Sequence, residues 1–218
     1  MNNCLWIPGW ACHFSNEFKE HIQAMNPDMD HHWVSFTQTI NHKELQIIID
    51  DYKPSHIVAW SLGAKKLAKC FINSKVLFIA PALDFCHEKL GVKQRVLSKM
   101  QKALKLKKEP VLISFLGNVG IRGGQLDSYM DSLKDVSIDV LDTGLEQLMK
   151  SSPMNEIAEL GELDCTTVIG LQDEILNPQI LPALNKEAQF TKLTVLDNLD
   201  HNAEHYLLDP IYEDWLNQ

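Results

Sequence analysis

The sequence predicts an α/β fold, a mostly parallel sheet of about six strands with helices on both faces. Three observations predict it. Short apolar runs of β type alternate with stretches of helical spacing towards both ends of the chain. The strand–helix–strand order repeats, and such units close by right-handed crossovers into a parallel sheet. From Cys86 to about Leu163 the alternation stops and mainly helical patterns continue. The expected organisation is therefore a core of residues 1–85 and 164–218, with residues 86–163 inserted between the fourth and fifth strands. No Gly/Ser linker separates the parts, so the insertion is expected to pack on the core as a helical cap.

Taken in order, Cys4 to Ile7 is a short buried strand broken by Pro8-Gly9. Phe14 to Met25 has helical spacing, with Ser15 placed to cap it. His32 to Phe36 reads as the second strand. Asn41 caps a helix that runs to Tyr52 and that Pro54 terminates. His56 to Trp60 is the third strand, Leu62 to about Phe71 a helix, and Lys75 to Ala80 the fourth strand, stopped by Pro81. After the insertion come the strand Thr166–Gly170, a helix near Gln179–Glu187, the strand Lys192–Leu196 and a closing amphipathic helix, Pro210–Leu216.

Composition narrows the function. Apolar residues are 45% of 218, enough for a large core. No apolar run approaches the length that spans a membrane. The start, Met-Asn-Asn-Cys-Leu-Trp-Ile-Pro, lacks the basic and apolar regions of a signal peptide. Cys4, Cys12, Cys70, Cys86 and Cys165 make an odd count without Cys-x-x-Cys spacing, the pattern of reduced thiols in the cytoplasm. Cys12-His13, His31-His32 and Cys86-His87 lack a second ligand pair at zinc spacing, so no metal site is expected. A net charge of −9 argues against nucleic acid as a partner.

The stretch Ile57-Val58-Ala59-Trp60-Ser61-Leu62-Gly63-Ala64 carries the first chemical signal. An apolar strand ends at a serine, and a helical pattern follows. Small residues stand two before and two after the serine, where a sharp turn presses both against neighbouring backbone. Catalytic groups of open parallel sheets collect at the carboxyl ends of strands, and three further ends carry suitable residues. Pro8-Gly9-Trp10 follows the first strand, and the amides of Trp10 and Leu62 are candidates to bind an oxyanion. Gly170-Leu-Gln-Asp173 follows the fifth strand, and Asp197-Asn-Leu-Asp-His201 the sixth. A serine hydroxyl needs a base to take its proton; His201 is the candidate, with Asp173 to fix its tautomer. His205 is a rival base. Glu174 and Asp164 are rival acids, although Asp164 stands at the wrong end of its strand.

The chain resembles the α/β-hydrolase superfamily, and within it the esterases of biotin biosynthesis that cleave pimeloyl-[acyl-carrier protein] methyl ester. The resemblance rests on Pro-Gly-Trp at 8–10, Trp-Ser-Leu-Gly at 60–63, Leu-Asp-Thr-Gly-Leu-Glu-Gln-Leu at 141–148, Gly-Leu-Gln-Asp at 170–173 and Asp-His-Asn-Ala at 200–203. It implies Ser61 as nucleophile, Asp173 and His201 as its partners, Trp10 and Leu62 as oxyanion donors, a carboxylic ester substrate and no cofactor. The chain departs from the pattern at Pro8-Gly9, where His-Gly is usual, and at Ala59, where glycine is usual. It also begins at the strand that carries the oxyanion turn, without the two leading strands common in the superfamily.

Charge adds a separate argument. From His87 to Glu109, eight Lys and Arg face two Glu, a local charge of +6 in a chain whose remainder carries −15. On a helix, Val96, Leu97, Met100 and Leu104 share one face, and Arg95, Lys99, Lys102 and Lys105 the opposite one. Clustered like charges favour an acidic partner. With the resemblance, this predicts that an acyl-carrier protein docks on Arg95, Lys99, Lys102 and Lys105. Leu112, Ile113, Phe115, Leu116, Leu133, Leu145, Leu148 and Met149 divide between cap core and an apolar channel for an acyl chain. Asp127, Asp131, Asp135 and Asp139 read as a solvated helix face. A cytoplasmic monomer is expected.

Overall fold

The computed structural model describes residues 2–150, 164–188, 192–207 and 211–216. Six parallel strands form one sheet in the order β2-β1-β3-β4-β5-β6. They are β1 (Asn3–Ile7), β2 (Asp30–Trp33), β3 (His56–Trp60), β4 (Lys75–Ile79), β5 (Cys165–Gly170) and β6 (Lys192–Leu196). The four inner strands are almost wholly buried, and the edge strands β2 and β6 are partly exposed. That burial explains why the inner strands read as continuous apolar runs: both faces are covered. The chain leaves β1 towards β2 and then crosses back to β3, so the direction of winding reverses between β1 and β3. Such a reversal opens a crevice at the carboxyl ends of the two strands.

Helices α1 (Asn16–Met25), α2 (Phe36–Ile40), α3 (His42–Tyr52) and α4 (Leu62–Leu67) connect the first four strands. Ser15 caps α1 by accepting from Phe18 N–H, and Asn41 caps α3 by accepting from Glu44 N–H. The second strand ends at Trp33, earlier than its apolar residues suggest. Ser35 and Gln38 form a reciprocal capping box that starts α2, and this turns Phe36 into a helical residue. Helix α4 is also shorter than its pattern. Beyond Leu67 the amides of Lys69 and Cys70 bond three residues back, a tighter winding that ends the helix and leaves Phe71 exposed.

Among the described residues, four helices lie between β4 and β5: α5 (Gln94–Leu106), α6 (Lys108–Val119), α7 (Gly123–Ser132) and α8 (Ile138–Met149). The far boundary expected for this insertion falls in 151–163, outside the described residues. The acidic row is not one helix face: Asp127 and Asp131 are on α7, Asp135 in the turn and Asp139 in the first turn of α8. The chain closes with α9 (Ile180–Ala188), a short α10 (Ala203–Leu207) and α11 (Ile211–Leu216). Pro210, the expected start of α11, is outside the described residues. Among the described residues no helix is long and apolar enough to cross a membrane.

The inserted helices are tied to the sheet by polar bonds. Lys65 Nζ donates to the carbonyl of Lys150, and Gln147 Nε2 donates to that of Ile40. Glu204, on α10, accepts from Ser15 N–H at 2.6 Å, Ser15 Oγ at 2.9 Å and Gln125 Nε2 at 2.8 Å. Next to it Tyr129 donates to His13 O, and His13 Nδ1 lies 2.9 Å from Ser132 Oγ. Burial, helped by the charge of Lys19, pushes the His13 imidazole down to about 4. The folded protein therefore keeps His13 neutral at pH values where the unfolded chain, with an ordinary pKa near 6.5, binds a proton. This contribution to stability is fully present above about 6.5 and falls as the pH drops towards 4. Melting temperature should decline over that interval, and His13→Gln should flatten this part of the profile.

Candidate active site

Ser61 stands at the turn from β3 into α4, beside the crevice. Its backbone has φ 53° and ψ −113°, a conformation that costs a non-glycine residue about 1–3 kcal/mol. The surroundings hold it there. Ser61 N–H donates to Ile79 O at 3.0 Å, and Ala82 N–H donates to Ser61 O at 3.1 Å. Gly63 lets α4 approach β1: a Cβ at that position would stand 2.7 Å from the carbonyl oxygens of both Ile7 and Pro8. Ala59, the other small position of the elbow, is fully buried.

His201 Nε2 lies 3.0 Å from Ser61 Oγ, and His201 Nδ1 lies 2.7 Å from Asp173 Oδ2. The carboxylate can only accept, so Nδ1 carries the proton and Nε2 presents its lone pair to the hydroxyl. His201 is 1% exposed and Ser61 6%. Asp173 is fixed through its second oxygen, which accepts from the amides of Ile175 at 2.8 Å and Leu176 at 2.7 Å. The His201 backbone is fixed by Trp60, whose indole N–H donates to His201 O at 2.8 Å. Tyr206 ties the two loops together: its hydroxyl accepts from Gly170 N–H and donates to Asp200 O.

Two amides are the candidates for the oxyanion. Leu62 follows Ser61 directly. Trp10 follows Gly9, which packs so near that a Cβ there would stand 3.0 Å from Ser61 Cβ. Neither amide donates to an acceptor among the described residues. The arrangement provides a hydroxyl, a base, an orienting carboxylate and two N–H groups, the parts that acyl transfer requires.

The rival residues are elsewhere. His205 Nδ1 is 2.9 Å from Asp200 Oδ1 at the surface. That bond, working against burial, raises His205. Burial pushes Asp200 up, but hydrogen bonds from His205 and Asn202 outweigh it and hold the carboxyl below its ordinary range. Asp164 precedes β5 and is exposed, at the opposite end of the sheet. Glu174, next to Asp173, is exposed and lines a cavity instead.

That cavity has a volume of about 570 Å³, within the roughly 300–1,000 Å³ of small-molecule sites. Phe85, Val96, Met100, Phe115, Leu145 and Ile175 are among its apolar walls, and Lys99 and Lys107 border it. Two of its lining residues are neighbours of the site. Ile175 is two residues beyond Asp173, and Phe115 packs edge-on against Trp10 with ring centroids 4.6 Å apart. Of the residues divided between core and channel, Phe115, Leu145 and Leu148 line this space, while Leu112, Leu116 and Leu133 are cap core. Ile113 faces solvent, and Met149 packs near Ser98.

Arg95, Lys99 and Lys102 are exposed along α5. Lys105 is turned towards α8 and pairs with Asp142 at 3.0 Å. Val96, expected on the buried face, is 50% exposed at the mouth of the cavity. Among the described residues no group of three His, Cys, Asp or Glu side chains is placed to hold a metal ion. Sequence reasoning missed Trp60, Tyr206 and Glu204 as supports of the site. Asp200 apart, the partners named for them are 36 to 189 residues away, so no local pattern marks them.

Solved structures settle the fold. A bromoperoxidase from Bacillus anthracis superposes with a TM-score of 0.78 at 11% identity, over 100% of this chain and 92% of that one. An esterase from Exiguobacterium antarcticum gives 0.73 at 11%, over 100% and 90%. A hydrolase from Oleispira antarctica gives 0.74 at 10%, over 100% and 92%. The chain has the α/β-hydrolase fold. No protein-family model matches the sequence, and no curated protein does either. Within the α/β-hydrolase fold the order Ser…Asp…His and the strand-end placement of each residue follow the usual pattern.

A fluorophosphonate probe separates the two histidines. His205→Ala should be labelled at Ser61 at close to the wild-type rate. His201→Ala should lose at least about 1,000-fold in labelling rate, because only His201 reaches the hydroxyl.

Proposed function

We propose that the protein is a serine carboxylesterase that hydrolyses the methyl ester of pimeloyl-[acyl-carrier protein]. The observation that carries the hydrolase reading is the continuous chain of contacts from Ser61 Oγ through His201 to Asp173. Neighbours of the same fold that are named esterase and hydrolase are in keeping with it. Ser61 Oγ attacks the ester carbonyl while His201 Nε2 takes its proton. The oxygen becomes an anion facing the amides of Trp10 and Leu62. The intermediate collapses, His201 returns the proton to the methoxy group, and methanol leaves an acyl-serine. Water, deprotonated by His201, attacks that ester, and the carboxylate departs as Ser61 regains its proton.

The finer substrate rests on three supports. The motif resemblance covers most of the chain. The apolar cavity beside the site suits an aliphatic chain. Exposed Arg95, Lys99 and Lys102 give α5 a basic face for an acidic carrier, with Lys105 at its edge already engaged by Asp142. In this reading residues 86–163 act as the cap on which the carrier docks, and the protein works as a cytoplasmic monomer. The chemistry draws on protein groups alone.

Ser61→Ala should lower kcat/KM by at least about 10,000-fold and leave the melting temperature near that of the wild type. Retained turnover would refute the hydrolase reading. Arg95→Glu/Lys102→Glu should slow hydrolysis of the carrier-bound ester about tenfold at low salt, with free methyl pimelate unaffected. Equal rates on both substrates at every salt concentration would instead indicate a general short-acyl esterase or thioesterase.

A further inference from the structure

Trp10 joins two parts of the fold. Its amide follows Gly9, which packs against Ser61, and its indole lies buried beneath α8. The indole N–H donates to Leu141 O at 2.9 Å. Helix α8 comes this near because residue 144 is glycine: a Cβ there would stand 2.8 Å from Trp10 Nε1, and nearer still to Cδ1. Phe115 closes a second side at an interplanar angle of 89°, and Phe36 a third at 79°. The turn that carries the amide does not hold its own shape. Ala11, the next residue, has φ +52°, a conformation that alanine rarely adopts, and among the described residues a single 3.3 Å backbone bond, from Cys12 N–H to Gly9 O, closes the turn. A strained turn persists only where its surroundings over-determine it. Here the surroundings are the grip on the indole.

We propose that Gly144 and the Leu141 carbonyl form a seat on α8 for the Trp10 indole, and that this seat positions the Trp10 amide for the oxyanion. Gly144 is then a positioning residue for catalysis, 134 residues distant in sequence from the amide that it serves. The proposal rests on the hydrolase reading, since the amide acts only on a developing oxyanion. Ground-state binding does not use that contact, so loss of the seat falls on kcat and not on KM.

The test compares wild type, Gly144→Ala, Trp10→Phe and the double variant on a p-nitrophenyl acyl ester. Butylboronic acid serves as inhibitor, because its tetrahedral serine adduct carries an oxygen where the anion develops. Gly144→Ala is expected to lose about 10- to 100-fold in kcat at nearly constant KM. Its affinity for the boronic acid should fall in proportion. Phenylalanine lacks the indole N–H and makes room for the new methyl. Trp10→Phe should therefore lose about tenfold in kcat, and the double variant should return to that level instead of multiplying the losses.

Circular dichroism reports folding. If Gly144→Ala does not fold, Trp10→Phe carries the test through the same split of kcat from KM and the parallel loss of boronic acid affinity. Wild-type kcat in Gly144→Ala, a loss confined to KM, or multiplied losses in the double variant would overturn the proposal while leaving the hydrolase reading intact. A wild-type protein inert to both the ester and a fluorophosphonate would overturn the hydrolase reading, and the seat's catalytic role with it.

Discussion

The hydrogen bond between His201 Nδ1 and Asp173 Oδ2, 2.7 Å long and closed to water, is the contact on which the proposed chemistry depends. It decides which imidazole nitrogen is free to accept a proton. Without it the ring has no preferred tautomer and no fixed direction. The carboxylate is itself immobile, since its second oxygen is occupied by two amides. Hydrogen bonds to a charged group are worth about 1.5–3 kcal/mol each, so the loop after β5 is shaped around Asp173. Trp60 and Tyr206 do the same for the loop after β6. His201 is held by Asp173, by its own backbone and by the neighbouring loop.

Ser61 is held by a different means. Ser61 occupies strained backbone that α4 and the β1 turn enforce through close contact at Gly63. Because the sheet changes direction between β1 and β3, the turn that bears Trp10 and the elbow that bears Ser61 are neighbours. Asp173 and His201 arrive from the far side, in the loops after β5 and β6. Topology thus brings together four loops that the sequence separates by up to 191 positions, from Trp10 to His201. The inserted helices complete the enclosure. Glu204 binds Ser15 and Gln125 at once, three residues after His201, and so joins the base-bearing loop to α1 and α7. Truncating it would strand the buried Ser15 N–H, at about 1–3 kcal/mol.

Much of this was legible in the sequence because its causes are local. The elbow's steric limits leave small residues at Ala59 and Gly63. Strand ends are marked by the apolar runs that precede them, which places Asp173 and His201. The order of elements follows from periodicity. What was not legible depends on partners remote in the chain. A helical wheel placed Lys105 with Arg95 and Lys99, but cannot know that α8 presents Asp142. Val96 shares the apolar face of the wheel with Leu97 and Leu104, yet that edge of α5 borders a cavity and Val96 is half exposed. The second strand was misplaced for a local reason that could have been read. Ser35 and Gln38 have capping-box spacing, and helix initiation there overrides the β preference of Val34 and Phe36.

The most direct test of the central claim is rapid-mixing kinetics with a p-nitrophenyl ester, joined to mass spectrometry of the quenched protein. If Ser61 is the nucleophile that His201 and Asp173 activate, deacylation by water is a separate step. Where that step is the slower one, a burst of about one p-nitrophenolate per protein appears, and in slowly deacylating conditions the acyl group is found on the peptide that contains Ser61. An ester turned over with no acyl adduct at any time, or with the adduct on another residue, would contradict the account.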